Sequence, residues 1–136
     1  MVRALYLADS AETAWAEWYR HTSELGVPPQ HRMPRDLWRF EVDLANVADL
    51  SKLDDLARHA IRGLNPSRRQ WARTQPVGEE AWRQGFAALI APSAARPDGR
   101  VLAVFRTQPG KVQGIKPIRP ARRVSELPAL PTGLRT

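Results

Sequence analysis

Two stretches decide the fold: residues 4–17 read ALYLADSAETAWAE, and residues 85–105 read GFAALIAPSAARPDGRVLAVF. In the first stretch, the apolar run 4–8 favours a strand. Asp9, followed three residues later by Glu12, matches a capping box and predicts a helix over residues 11–21. In the second stretch, residues 86–91 and 101–105 are typical of buried strands, and turns are predicted between them. The chain is therefore predicted to open with a strand and a helix and to return later with two adjacent strands.

The segment between these stretches supplies further elements. Residues 35–44 alternate, with Trp38, Phe40 and Val42 on one face, which predicts a half-buried strand. Residues 52–62 and 78–85 predict helices, the second ending at Gly85 as its C-cap. The order of elements predicts an α/β (α+β) domain, a small mixed sheet flanked by helices. A doubly wound nucleotide-binding fold is excluded because no Gly-rich loop joins the first strand to the first helix.

Composition narrows the class of protein. A chain of 136 residues fits one domain. It has no cysteine, which excludes a disulfide scaffold, a thiolate zinc site and a cysteine nucleophile. No apolar run approaches the roughly 20 residues that cross a bilayer, and the N-terminus lacks the apolar core of a signal peptide. We therefore expect a cytoplasmic protein that does not bind membranes.

Positive charge is concentrated at the C-terminal end. The formal charge is +7, and from Lys111 onward six basic residues face one acid, a net of +5. This segment also holds four of the prolines. We predict a domain over residues 1–110 and a basic, Pro-rich tail over residues 111–136, extended or disordered. A nucleic-acid-binding function would rest on the charge of this tail alone, so no direct contact with nucleic acid is expected.

Together and in this order, the two quoted stretches resemble the RES domain family. The first has a Tyr near the strand end and a Glu eleven residues later on the helix. The second has a strand, a Pro-Ser-Ala turn, a Gly-containing turn and a closing strand that ends in Phe. The resemblance implies a bacterial toxin of RES–Xre type toxin–antitoxin systems, with a fold similar to ADP-ribosyltransferases. Such toxins cleave NAD at the nicotinamide–ribose bond and are bound by an antitoxin with a helix-turn-helix domain.

The resemblance also assigns a site. It implies that Glu17 and Ser93 are catalytic and that Tyr6 binds the substrate, with NAD as substrate and no cofactor. A carboxylate such as that of Glu17 stabilises the positive ribose that forms as nicotinamide leaves. The alternatives stay open: Glu17 paired with Arg20 or His21 on a solvated helix face, Tyr6 as a buried strand aromatic, and Ser93 as a turn cap.

The family's signature Arg has no counterpart in the sequence as it stands. In the family it lies in a Gly-rich segment farther upstream than the five residues that precede Tyr6 here, and Arg3 is too close to Tyr6. The missing counterpart of this Arg leads to a second hypothesis, in which the chain is a catalytically weak or inactive RES-like remnant that binds an antitoxin or another partner. The acceptor of ADP-ribose (water, phosphate or protein) and the oligomeric state, a homodimer included, are left open.

Other basic residues could bind the pyrophosphate, because a guanidinium can bond phosphate oxygens bidentately. Arg3, Arg32 and Arg35 are candidates without support from the resemblance. A denser cluster is more typical of a solvated helix face, and comprises Arg58, Arg62, Arg68, Arg69 and Arg73. No metal is predicted, because metal-ligand spacing is lacking among His21, His31 and His59.

Overall fold

The computed structural model describes residues 4–50, 78–79, 81–96, 98–106 and 114–134. It is a mixed α+β fold, which confirms the predicted class. The elements in chain order are strand β1 (Ala4–Ala8), helix α1 (Ala11–Glu24), a 3-10 helix (Pro29–Arg32), and strands β2 (Arg35–Val42), β3 (Val47–Asp49), β4 (Ala88–Pro92), β5 (Arg100–Phe105) and β6 (Ile115–Val124). The helix predicted over residues 52–62 lies outside the described residues. Within the described part, no helix has the length and apolar character needed to cross a membrane.

Four strands form the main sheet, in the order β1-β5-β4-β3. β5 pairs antiparallel with both β1 and β4, and β3 pairs parallel with β4. The centre of the sheet is shielded from solvent, since Val104 is 1% exposed and Ala88 is fully buried. The two strands predicted over residues 86–91 and 101–105 are confirmed as β4 and β5. They are buried at Ala88, Val104 and Phe105 and half-buried at most other positions, which fits their nearly unbroken apolar sequence.

Helix α1 begins one residue later than the capping box would place it. The N-cap is Ser10, whose Oγ accepts a hydrogen bond from the Thr13 backbone N–H at 3.1 Å. Asp9 is still paired like a strand residue, because its N–H donates to the carbonyl of Arg100. The predicted capping box of Asp9 and Glu12 is therefore wrong: the strand ladder holds Asp9, and the next residue with a short polar side chain caps the helix.

A second helical stretch ends as predicted at Gly85. Residues 78–79 and 81–83 are helical, and Gly85 has a φ of +88°, which glycine adopts without strain. The Gly85 N–H donates to the carbonyl of Trp82 and the Phe86 N–H to that of Ala81. These two bonds form a Schellman motif and confirm Gly85 as the C-terminal cap.

The remaining strands, β2 and β6, form a separate two-stranded antiparallel sheet, here called the ribbon. Its pairing runs from Arg35 opposite Val124 to Val42 opposite Ile115, with an irregularity between Leu37 and Arg39. The part of the tail over residues 115–124 is thus extended and paired. Its prolines fit because each strand of a two-stranded sheet has an unpaired edge that needs no donor.

The expectation of a half-buried β2 is wrong. Trp38 is 40% exposed and Val42 is 42% exposed, so the alternating apolar face is not covered as a core strand would be. The reason is topological: β2 pairs with β6 and is not a member of the four-stranded sheet. Alternation correctly predicted a strand but could not show which sheet the strand joins.

Candidate active site

A hydrogen bond joins the two residues that the sequence predicts as catalytic. The hydroxyl of Ser93 donates to Oε1 of Glu17 at 2.6 Å, between positions 76 residues apart in sequence. Ser93 lies directly after β4, and Glu17 lies near the middle of α1. Ser93 is 4% exposed and Glu17 is half-buried, so the bond is partly shielded from water. A short bond to a carboxylate in such an environment is strong and fixes the direction of the acid.

Ser93 also organises the turn that follows it. Its Oγ accepts hydrogen bonds from the backbone N–H groups of Ala95, at 3.2 Å, and Arg96, at 3.1 Å. Ser93 therefore caps the turn and also contacts the candidate catalytic carboxylate, so the two alternatives do not exclude each other. A hydroxyl has one donor and two acceptor positions, and all three are occupied here. The hydroxyl is consequently held in one orientation, aimed at Glu17.

Among the described residues, neither alternative partner forms an ion pair with Glu17. Arg20 contacts Glu24 at 3.4 Å, one turn along the same helix, and donates to the carbonyl of Ala94 at 3.4 Å. His21 is exposed. Glu17 itself is half-buried, and within the described part of the chain its second carboxylate oxygen has no hydrogen-bond partner. The carboxylate is thus anchored through one oxygen and retains the other for a ligand.

Tyr6 lies on β1 opposite Ala103 of β5, and β5 separates it from β4. It is 71% exposed, so the alternative of a buried strand aromatic does not describe it. If the alternation of β4 continues by one residue, Tyr6 and Ser93 face the same side of the sheet. Two strand spacings and four residues of rise put their Cα atoms about 16 Å apart. The structure thus brings Glu17 and Ser93 together and leaves Tyr6 at a distance on the sheet.

Arg96 is a neighbour of this pair that the sequence did not single out. Its guanidinium contacts Glu12 at 2.8 Å and donates to Oγ1 of Thr13 at 3.2 Å, both in the first turn of α1. Gly99 packs so closely on Thr13 that a Cβ there would lie 2.4 Å from Oγ1. The loop between β4 and β5 is therefore clamped onto α1. The signal in the sequence was the arginine and the glycine that follow the Pro-Ser-Ala turn, at positions 96 and 99.

The other candidate cations are dispersed. Arg32 lies in the 3-10 helix and donates to Oγ1 of Thr22 at 3.3 Å, and Arg35 begins β2 in the ribbon. Arg3 and the cluster over residues 58–73 lie outside the described residues. No group of three or more His, Asp or Glu side chains that could hold a metal ion occurs among the residues that the structure describes.

Comparisons with known proteins agree with this architecture. The sequence model of the RES domain family matches residues 1–126. One solved structure with a similar fold is a chain of the M. tuberculosis MbcT–MbcA toxin–antitoxin complex, at a TM-score of 0.68 and 24% sequence identity. The match covers 92% of this chain and 68% of that chain. No curated protein matches the chain in sequence.

The fold and the hydrogen-bonded pair define a compact α+β domain with one carboxylate fixed beside the turn after β4. Because the family model spans nearly the whole sequence, the chain belongs to the RES domain family. The fold is that of the MbcT toxin. The resemblance carried by the two quoted stretches is thereby confirmed. The roles of Tyr6, Glu17 and Ser93 stay predictions.

Proposed function

We propose that this chain is a toxin domain that degrades NAD by cleaving its nicotinamide–ribose bond. The observation that carries the proposal is the 2.6 Å hydrogen bond from Ser93 to Glu17, which fixes a carboxylate whose other oxygen has no partner among the described residues. Membership of the RES family supports the same reaction. A cytoplasmic location follows from the proposal, because NAD is an intracellular metabolite.

The chemistry requires a fixed negative charge more than a nucleophile. The bond between ribose C1′ and the nicotinamide nitrogen breaks, and its electron pair leaves with neutral nicotinamide. The ribose acquires oxocarbenium character until an oxygen of the acceptor bonds to C1′. The other carboxylate oxygen of Glu17 stabilises that positive charge, or holds a ribose hydroxyl so that C1′ is exposed.

In this scheme Ser93 is a positioning residue. Its hydroxyl has no hydrogen-bonding capacity left after Glu17 and two backbone N–H groups, so it acts through Glu17. Tyr6 is exposed on β1 and offers an aromatic face and a hydroxyl. At about 16 Å from Ser93, Tyr6 would contact a part of the dinucleotide remote from the scissile bond.

The test measures nicotinamide release from NAD by the purified full chain and by Glu17→Gln. Glutamine keeps the size of the side chain and can still accept the bond from Ser93, but it removes the charge. We expect the rate to fall on the order of a hundredfold or more, the size of effect seen when one electrostatic stabiliser of a transition state is lost. Glu41→Gln, the same change on exposed β2, is the matched control and is expected to leave the rate unchanged.

The outcomes separate the two functions left open by the sequence. Equal rates for the parent chain and Glu17→Gln would remove Glu17 from the mechanism. Absence of nicotinamide release from the correctly folded parent chain would favour a domain that binds a partner without catalysis.

We also propose that a protein antitoxin binds this chain. The support is the neighbour of similar fold, which was crystallised as a toxin–antitoxin complex. The test is to co-express the chain with a protein encoded beside it and to compare cell growth with and without that protein. Growth arrest that Glu17→Gln relieves, and that the neighbouring protein also relieves, is the expected result.

A further inference from the structure

The fold sorts the charges of the ribbon onto one side. Side chains alternate along each strand, and directly paired residues share a face. By the register, one face, here called the basic face, carries Arg35, Leu37, Arg39, Glu41, Lys116, Ile118, Arg122 and Val124. The opposite face, here called the aromatic face, carries Asp36, Trp38, Phe40, Val42, Ile115, Pro117, Arg119 and Arg123.

The two faces differ in net charge and in how their cations are engaged. The basic face has four bases and one acid, a net of +3, and the aromatic face has two bases and one acid, a net of +1. On the aromatic face, Arg123 pairs with Asp36 at 3.0 Å and Arg119 lies over the ring of Trp38. Within the described residues, the four bases of the basic face make no ion pair, and all four are exposed. They are Arg35, Arg39, Lys116 and Arg122.

We propose that the basic face of the ribbon binds the phosphate backbone of duplex DNA without regard to sequence. From the sequence alone, the positive charge of residues 111–136 belongs to a tail, and a tail predicts no binding surface. The structure instead combines two bases of the tail with two bases of β2 on one face of a paired ribbon. This inference goes beyond the proposed function and does not depend on it.

Shape supports this choice of ligand. A two-stranded β-ribbon matches the major groove of B-DNA in width. When the basic face lies over the mouth of the groove, the long Arg and Lys side chains of its two strands can reach the phosphates on either side. At about 3.3 Å per residue, Arg35 and Arg39 are about 13 Å apart. Lys116 and Arg122 lie opposite Glu41 and Leu37, four residues apart on β2, so they are also about 13 Å apart and cations line both strands. Double-stranded RNA fits less well, because its major groove is too deep and narrow.

A protein partner would be expected on the other face. Protein interfaces are enriched in aromatic residues and depleted of charge at their centres. Trp38 and Phe40 lie on the aromatic face, whereas the basic face has only aliphatic side chains among its charges. The basic face therefore suits a polyanion more than a protein surface.

The experiment is fluorescence anisotropy of a labelled DNA duplex of about 20 base pairs, roughly two helical turns, titrated with the full chain. Two unrelated sequences are used, with a matching RNA duplex and with polyglutamate as competitor. Salt is varied from about 50 to 200 mM, because each phosphate contact adds about 0.9 to the slope of log affinity against log salt. We expect both DNA sequences to bind equally, more tightly than the RNA duplex, with a steep salt dependence.

Two double variants remove the same net charge from opposite faces. Arg39→Gln with Arg122→Gln alters the basic face, and Arg119→Gln with Arg123→Gln alters the aromatic face. We expect the first to weaken DNA binding on the order of tenfold and to reduce the salt slope by about 2, and the second to have a much smaller effect. Circular dichroism and thermal melting check that both variants are folded.

Several results would overturn the proposal. One is the absence of DNA binding by the folded parent chain at low salt, and another is an equal loss in the two double variants. Equal binding of RNA and DNA duplexes would contradict docking in the major groove. Binding of polyglutamate in preference to DNA would indicate an acidic protein as the partner. None of these results bears on nicotinamide release, so the two proposals fail independently.

Discussion

The active-site region and the ribbon each join a carboxylate to a donor far away in the sequence, with different physical consequences. Glu17 accepts from Ser93 across 76 positions, beside a residue that is 4% exposed. Asp36 accepts from Arg123 across 87 positions, where both side chains are exposed. Water competes for the second contact and is partly excluded from the first, so the first should contribute more to structure although it carries less charge.

The comparison extends to the packing around each contact. The main sheet surrounds its centre with apolar side chains, whereas large side chains of the ribbon, Trp38, Val42 and Ile118, are about 40% exposed. A buried, well-packed sheet can hold a catalytic side chain with the positional precision that a reaction requires. An exposed ribbon presents charge over a wide area instead, which suits contact with a large, repetitive ligand.

The largest expected effect contrasts truncation of one aliphatic side chain in each region. Val104→Ala should lower the free energy of unfolding by roughly 2–4 kcal/mol, because it loses buried methyl groups and leaves a cavity at a position 1% exposed. Ile118→Ala in the ribbon should cost less than about 0.5 kcal/mol, as most exposed substitutions do. Urea unfolding measures both, and similar losses would show that the ribbon is as tightly packed as the sheet.

Removal of the hydroxyl at the site should have the next largest effect. Ser93→Ala leaves the N–H groups of Ala95 and Arg96 without their acceptor. The Ala95 N–H is the buried one, so we expect a cost of about 1–3 kcal/mol in total. Ser125→Ala, the same change at an exposed residue just after β6, is the control and should be neutral. Under the proposed function, Ser93→Ala should also slow nicotinamide release. A variant with unaltered urea stability would show that the turn does not depend on this hydroxyl.

A glycine substitution tests how closely the loop between β4 and β5 must approach α1. In Gly99→Ala the new Cβ would meet the buried side chain of Thr13, so we expect a loss of about 1–3 kcal/mol in stability. Gly78→Ala has open space around its Cβ and should be neutral or slightly stabilising. A crystal structure of Gly99→Ala should show the loop displaced from α1 and the bond between Ser93 and Glu17 lengthened; an unchanged bond would mean that the clamp does not set the pair.

These tests bear on what the sequence could predict. Local rules correctly located β1, α1, the buried strands and the Gly85 cap, because each depends on residues close together in the chain. Family resemblance named Glu17 and Ser93 as catalytic residues, but the hydrogen bond between them was not predicted, since spacing alone does not bring positions 76 residues apart together. β6 was missed as a strand because its prolines and charges are unfavourable for a core strand and acceptable only at an unpaired edge. Its partner β2 therefore could not be assigned to a ribbon.

The smallest effect concerns the ionisation of Asp36 in the ribbon. Arg123 donates hydrogen bonds to both carboxylate oxygens, at 3.0 and 3.3 Å, and thereby lowers the pKa of Asp36 below its ordinary value. A carboxyl group whose pKa is lowered by folding contributes stability that is complete above the unfolded value, about 3.9, and is lost as pH falls through the lower folded value. The ribbon should therefore loosen only in acid, and by a small amount, because both partners are exposed and salt screens them.

Nuclear magnetic resonance titration of the Asp36 carboxyl carbon measures this pKa directly. Arg123→Gln should return the pKa to the ordinary range, whereas Arg122→Gln, the same change on the basic face, should move it much less because Arg122 lies opposite Leu37. Added salt should raise the Asp36 pKa in the parent chain, since the attraction it weakens is exposed. An Asp36 that titrates normally in the parent chain would show that the ion pair is not maintained in solution, and the assignment of Arg123 to an engaged, aromatic face would then lose its support.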